Sequence, residues 1–170
     1  MNFLARRTIR EYTEEVVSEE KIQEILKVAL FAPSSRNKRG VEFIVVRDKK
    51  TAAKLTECKK IIQNMPLEAD FSVVVIADKT LSDTWIENSS VALTLMQLKA
   101  WDMGIGSCWM QVRGRVDKNG IDSEEVIKRI LEIPEKYGVL ALMTFGYPKE
   151  KKEGYEFSEV NNDRIHYEKY

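Results

Sequence analysis

Arg6, Thr8 and Arg10 alternate near the start of the chain, so in an extended backbone their side chains leave on one side. Two guanidinium groups with a hydroxyl between them suit a phosphate, which accepts bidentate, charge-assisted hydrogen bonds. Ser34 to Gly40 (SSRNKRG) is a polar loop without an aliphatic residue. Its Ser34, Ser35 and Asn37 offer donors to an oxygen-rich ligand. At Gly104-Ile105-Gly106 a ligand ring could approach the backbone closely. This last pair of glycines follows a helix and precedes a strand, the reverse of a dinucleotide fingerprint. Each feature also has a plain structural reading: a solvated basic segment, an ordinary turn and a helix C-cap.

The rest of the composition removes other chemistries. His166 is the only histidine and lies near the C-terminal end, where it reads as a solvated or packed tail residue. A His-rich metal site is therefore excluded, and no Cys-x-x-Cys pair supplies a thiolate cage. Ser-His-Asp or Cys-His catalysis would rest on that one residue. An enzyme built from this chain would borrow its reactivity from a cofactor. Lys+Arg and Asp+Glu number 27 each, so no net field draws in nucleic acid or an anionic membrane. No apolar run reaches the ~18 residues of a membrane span and no signal-peptide pattern is present. Cys58 and Cys108 do not make a disulfide framework, so the expected location is the cytoplasm.

The elements that must hold these residues follow from periodicity. The 170 residues, 44% hydrophobic and 32% charged, predict one globular domain over residues 1–170. Within 91–103 the polar residues are Thr94, Gln97, Lys99 and Asp102, scattered around the helix at ~100° per residue. A helix without a polar face is buried on several sides, here by the sheet and by a second subunit. It stops at Gly104, which can take the left-handed C′ conformation. Ser18 caps an amphipathic helix that Pro33 ends. Strands are expected at 41–46, 71–77, 107–112 and 139–145, the second and fourth almost continuously apolar and so central. A charged helix is expected over 49–60, and Asp122 with Glu125 predicts a capping box for another. The order of elements predicts an α+β or α/β three-layer domain around a mixed sheet.

Together the polar features resemble a known family. Arg6-Arg7-Thr8-Ile9-Arg10, then Ala32-Pro33-Ser34-Ser35-Arg36-Asn37 leading into Glu42-Phe43-Ile44-Val45-Val46, are similar to the opening signatures of the nitroreductase family of FMN oxidoreductases. Gly104-Ile105-Gly106-Ser107-Cys108-Trp109-Met110-Gln111 and Phe145-Gly146-Tyr147-Pro148 resemble its later ones. The resemblance spans almost the whole chain, in order, and marks a compact member. It implies an α+β three-layer fold in an intertwined homodimer with two FMN molecules at the interface. It further implies that Arg6, Thr8 and Arg10 hold the phosphate, ribityl and pyrimidine end, with Arg7 a neighbouring main-chain contact. Pro33, Ser34, Ser35 and Asn37 would reach the ring from the other subunit, and the backbone around Trp109, Met110 and Gln111 would lie beside flavin N5. A basic residue after the Gly-Tyr-Pro turn is also implied, with Lys149, Lys151, Lys152 and Arg164 as candidates. One departure is clear: where the family continues with a Gln-Pro-aromatic turn, this chain has Arg39-Gly40-Val41.

The activity so implied is transfer of hydride from NADH or NADPH through flavin N5 to an electron-poor acceptor, such as a nitroaromatic or a quinone. The protein holds and tunes the cofactor, and no side chain acts as nucleophile. Two other readings stand beside it. One keeps fold and flavin but changes the reaction to dehalogenation or dehydrogenation; the other is a flavin-binding sensor or scaffold dimer without turnover.

Overall fold

A computed structural model describes residues 2–61 and 64–170. Four strands, β1 (Val41–Val46), β2 (Phe71–Asp78), β3 (Gly106–Gln111) and β4 (Tyr137–Gly146), form one sheet in the order β1-β2-β4-β3. Every residue of β2 is buried, and β4 is buried from Gly138 onward, as continuous apolar runs require of strands covered on both faces. One face of the sheet packs on α1 (Glu19–Leu30) and α4 (Trp85–Asp102) through Val73, Val75, Met143, Leu93 and Met96. The other packs on α2 (Lys49–Thr56) and α5 (Ser123–Leu131) through Val74, Ile76, Leu142, Leu55 and Ile127. A further short helix, α3 (Met65–Glu68), precedes β2. The three layers match the expectation.

The mixed sheet does not: all three strand pairings are antiparallel. The cause is where the crossover lands. β2 and β3, joined through α4, do run parallel, but β4 fills the slot between them and opposes both. Strand–helix–strand order shows the crossover; it does not show that the adjoining position is taken by a later strand.

Two helix ends also differ from the periodicity. The expected 49–60 helix stops at Thr56. Beyond it the Lys60 N–H donates to the Val116 carbonyl (2.8 Å) and the Ser123 hydroxyl to that of Cys58, so the chain leaves the helix to join the segment before α5. Asp122 does cap α5, accepting from the Glu124 N–H at 2.7 Å. The reciprocal half of the box is missing because Glu125 instead pairs with Lys128 at 3.1 Å.

The end of α4 is as the glycine demands. Gly104 has φ +76; its N–H donates to Trp101 O (3.0 Å) and that of Ile105 to Ala100 O (2.9 Å). Those are the two bonds of a Schellman motif. Gly106 serves close packing instead: a Cβ there would lie 2.7 Å from the Ile9 side chain. Both glycines are thus used by the chain itself.

One ion pair, with its carboxylate buried and its lysine half exposed, fixes the far end of the sheet. Asp78, at the end of β2, accepts from Lys136 (2.8 Å) and from the Thr80 hydroxyl (2.6 Å). Its hydrogen bonds from Lys136 and then Thr80 hold the carboxyl down from 3.8 to about 2. A carboxyl depressed in the folded state stabilises the fold above its unfolded pKa, and the unfolded chain takes up the proton first as pH falls. Stability should therefore drop between about pH 4 and pH 2, and Asp78→Asn should flatten that part of the profile. Chemical unfolding of both proteins across this range is the check; identical acid profiles would refute it.

Candidate functional site

The site residues fall on two corners of the sheet. The first corner forms where the N-terminal segment runs past β3: the Ile9 N–H donates to Ser107 O at 3.0 Å. Ile9 is buried, as is Tyr12, whose hydroxyl donates to Ile9 O and meets Thr144 Oγ1, each at 2.8 Å. Burial raises the Tyr12 phenol well above its usual range, so it stays protonated and keeps the segment in place. This anchoring presents Arg6, Thr8 and Arg10 beside the start of β3.

The segment after β4 completes this corner. The Lys149 N–H bonds Glu11 O (2.9 Å), and the Glu150 carboxylate accepts from the N–H groups of Arg10 (2.5 Å) and Glu11 (3.4 Å). Burial would raise the Glu150 carboxyl, but these backbone donors and Lys152 overcome it and hold it low. Lys152 bonds Glu150 at 3.0 Å and the Thr8 carbonyl at 2.8 Å. Glu150 is thereby committed. Neither Arg6 nor Arg10 has a carboxylate partner among the described residues. Arg6 Nη1 is buried without any hydrogen-bond partner. A buried cationic donor left unpaired is costly, so this atom marks a place for an external acceptor.

Arg7 points elsewhere. Its guanidinium donates to the Glu153 carbonyl and lies 4.4 Å from the centre of the Tyr155 ring, fastening the C-terminal arm across the N-terminal segment. Past this clasp, Phe157, Tyr167 and Tyr170 are exposed, as is His166.

The second corner is the loop between α1 and β1. The Ser35 N–H donates to Asn88 Oδ1 of α4 (3.0 Å), the Arg39 N–H to Ser34 Oγ (3.0 Å) and the Asn37 N–H to Ser34 O (2.9 Å). Arg36, Asn37 and Arg39 all have positive φ, at 51, 55 and 49, unusual for residues with a Cβ and common at sites. Beneath the loop is a cavity of about 210 Å³ walled by Ala29, Leu30, Pro33, Val41 and Ala92, with Ser34, Arg39 and Asn88 at its polar side.

The register sets the two corners apart. The loop enters β1 at Val41, which pairs with the end of β2 and so lies level with the start of β4. Ser107 pairs with Phe145, at the end of β4. The corners are diagonal across the sheet, about 14 Å apart over three strand spacings and about 25 Å along the strands. α4 spans the same diagonal, from Asn88 under the loop to Gly104 beside the basic corner. Along it Val91 is exposed and Leu95 and Leu98 are only half-buried, so the helix keeps an apolar strip that its own chain leaves partly uncovered.

The remaining candidates lie on β3. This is an edge strand, and beyond the Ile9 bond no strand among the described residues pairs with its outer side. Trp109 Nε1 donates to Gln111 Oε1 (3.0 Å) and Gln111 Nε2 to Arg113 O (3.0 Å); Met110 is buried in the core. The side chains are therefore held by each other, and the open backbone edge faces the basic corner.

The family model described as Nitroreductase family matches residues 4–62 and 52–147. This chain belongs to the nitroreductase family. It is 38% identical over 170 residues to an Archaeoglobus fulgidus protein named for NADH dehydrogenase/NAD(P)H nitroreductase activity, covering 97% of this chain and 94% of that one. It is 28% identical to the FMN reductase (NAD(P)H) of Bacillus subtilis over 85% of this chain and 64% of the relative. Among solved structures it is similar to an FMN-dependent nitroreductase from Clostridium difficile R20291, at TM-score 0.95 and 40% identity over 99% and 98% of the two chains.

Within this nitroreductase-family chain, Lys152 is the basic residue after the Gly-Tyr-Pro turn that reaches Thr8. Arg164 sits in a 3-10 turn, Asn162–Arg164, in the exposed arm, and its described backbone bond stays within that arm. Glu150 and Asn88, which organise the two corners, carry no signal in the sequence: one acts through two backbone N–H groups and the other reaches a separate loop from the first turn of α4. A wider cleft of about 700 Å³ near Tyr12 and Asp70 is a different matter. Its Lys49 is tied to the Leu67 and Ala69 carbonyls and its Asp70 to Arg47, so these two charges already serve the fold.

Proposed function

We propose that this chain is an FMN-dependent NAD(P)H oxidoreductase, active as a homodimer, that reduces electron-poor acceptors such as nitroaromatics or quinones. The observation that carries the reading is the buried, unpartnered Arg6 Nη1. It lies in a corner with Arg10 and Lys152, where Glu150 is already neutralised. That donor set fits a phosphate monoester, the charged end of FMN. When bound, FMN supplies the redox chemistry, accepting two electrons from the nicotinamide and passing them to the acceptor.

The chain's own residues bind and orient. Arg6, Thr8 and Arg10 would hold the charged and polar end, with Lys152 fixing the Thr8 carbonyl. A cation held near the ring's pyrimidine end stabilises negative charge where it develops on reduction; Arg10 is the candidate. The open edge of β3 at Trp109, Met110 and Gln111 offers backbone donors and acceptors alongside. Pro33, Ser34, Ser35 and Asn37 would close the ring from the second subunit. Two chains are needed because the corners stand diagonally apart in one. A two-fold pairing of α4 helices along the Val91, Leu95 and Leu98 strip would set the loop of one protomer by the basic corner of its partner. The arm with Phe157, Tyr167 and Tyr170 would lie across that partner, and an exposed apolar set of this size suits an interface.

The purified protein is expected to be yellow, to release FMN and not FAD on denaturation, and to bleach when NADH or NADPH is added anaerobically. An absorption spectrum before and after addition checks both points. Colourless protein that takes up no added FMN would remove the reading. Yellow protein that turns over no nicotinamide would make it a flavin sensor.

A further inference from the structure

We propose that the loop bearing Arg36, Lys38 and Arg39 selects substrates with an anionic group, reading a carboxylate or phosphate at the mouth of the 210 Å³ cavity. This rests on the reading above for placing electron transfer at the site, but the anion preference can be measured without turnover.

The cavity sets the body of the guest. Its walls are Ala29, Leu30, Pro33, Val41 and Ala92, all apolar apart from backbone. A dry cavity of roughly 150 Å³ accepts benzene, so about 210 Å³ takes one substituted ring. The polar side then sets the substituent. Ser34 Oγ and Asn88 Oδ1 are already spent on the Arg39 and Ser35 N–H groups. Arg39 Nε donates to Asn37 Oδ1 at 2.8 Å, which steers the guanidinium and leaves its terminal nitrogens without a described partner.

Charge points the same way. Arg36, Lys38 and Arg39 are exposed, and none is paired with a carboxylate among the described residues. Three cations in four residues repel one another, and no carboxylate among the described residues pairs with them. The left-handed backbone at 36, 37 and 39 is pinned by internal hydrogen bonds, so the three charges project from a fixed backbone, and the Arg39 guanidinium is also steered by Asn37. An aromatic ring in the cavity with an anionic group at its rim would satisfy both parts. The anion could belong to the acceptor, as a carboxylate, or to the nicotinamide donor, as a phosphate.

Binding of benzoate and of benzamide to the purified protein, measured by calorimetry at low salt, tests the preference directly. Benzoate should bind about fivefold to tenfold tighter, the advantage shrinking as salt screens exposed charges. Arg39→Gln combined with Arg36→Gln should abolish the difference, Arg39→Lys should restore part of it, and Lys54→Gln on α2 should leave it unaltered. Lys38→Gln alone gives a second, milder variant should the double change loosen the loop; it should reduce the preference.

Turnover then separates the sources. A lower kcat/KM for 4-nitrobenzoate relative to 4-nitrobenzamide in the variants assigns the anion to the acceptor. A lower kcat/KM for NADPH relative to NADH, with a neutral quinone, assigns it to the donor. Equal binding of benzoate and benzamide by the wild-type protein overturns the proposal, as does a preference that survives loss of the cations. A colourless protein that still prefers benzoate would leave the anion site standing while removing the flavin reading.

Discussion

Replacing Arg6 by alanine is expected to weaken FMN binding by about ten- to a hundredfold and to leave the fold nearly as stable as before. A charge-assisted hydrogen bond to a phosphate contributes roughly 1.5–3 kcal/mol, which sets that range. The fold is spared because the guanidinium makes no bond to the chain at Nη1; the segment is instead anchored by Ile9 and Tyr12. Removing an unpaired buried cation could even raise the stability of the FMN-free protein. Arg6→Lys should recover part of the affinity as a point charge but not a bidentate grip. The measurements are an FMN titration by fluorescence quenching and a thermal melt of the FMN-free protein. Wild-type affinity in Arg6→Ala would return the basic cluster to a solvated terminal segment.

Ending the chain after Pro148 is expected to abolish stable dimerisation and FMN retention together. The arm that would be lost carries Phe157, Tyr167 and Tyr170, which are 80%, 82% and 106% exposed on a single chain. Such exposure of large aromatics is unfavourable unless a second surface covers them. The same cut removes Glu150 and Lys152, which hold the backbone of Arg10 and Thr8, so it dismantles the basic corner as well. A second truncation after Tyr155 separates the two causes. It keeps Glu150, Lys152 and the Arg7–Tyr155 clasp, so the corner survives while the partner-covering arm is lost. That protein should dissociate at higher concentration than wild type and lose FMN as it does so. Sedimentation across a dilution series, following flavin absorbance with protein, reads both. A stable monomer with stoichiometric FMN would refute the shared site.

The sequence alone determined the elements and the chemistry they could carry. Strand β1 lies where its β-branched and aromatic run placed it, because local pattern and tertiary burial agree there. Ser18 and Gly104 marked helix ends through single-residue backbone chemistry, a cap side chain and a left-handed φ, which need no distant partner. The lone His166 and the absence of paired thiols pointed to a borrowed cofactor, and the short motifs pointed to one family. The tertiary structure decided what depends on residues far apart in the chain. β4 enters between β2 and β3 only when the last strand folds back, so the antiparallel sheet was not legible in the order of elements. Lys152 stands out from Lys149, Lys151 and Arg164 because its ammonium reaches Thr8 O, a meeting across 144 residues. The glycines at 104 and 106 proved to serve a helix cap and the packing of Ile9, since a Cβ clash is a fact of three-dimensional neighbours. The separation of Arg6 from Ser34 is likewise set by register, in which a strand's far end can be the nearest place to a second subunit.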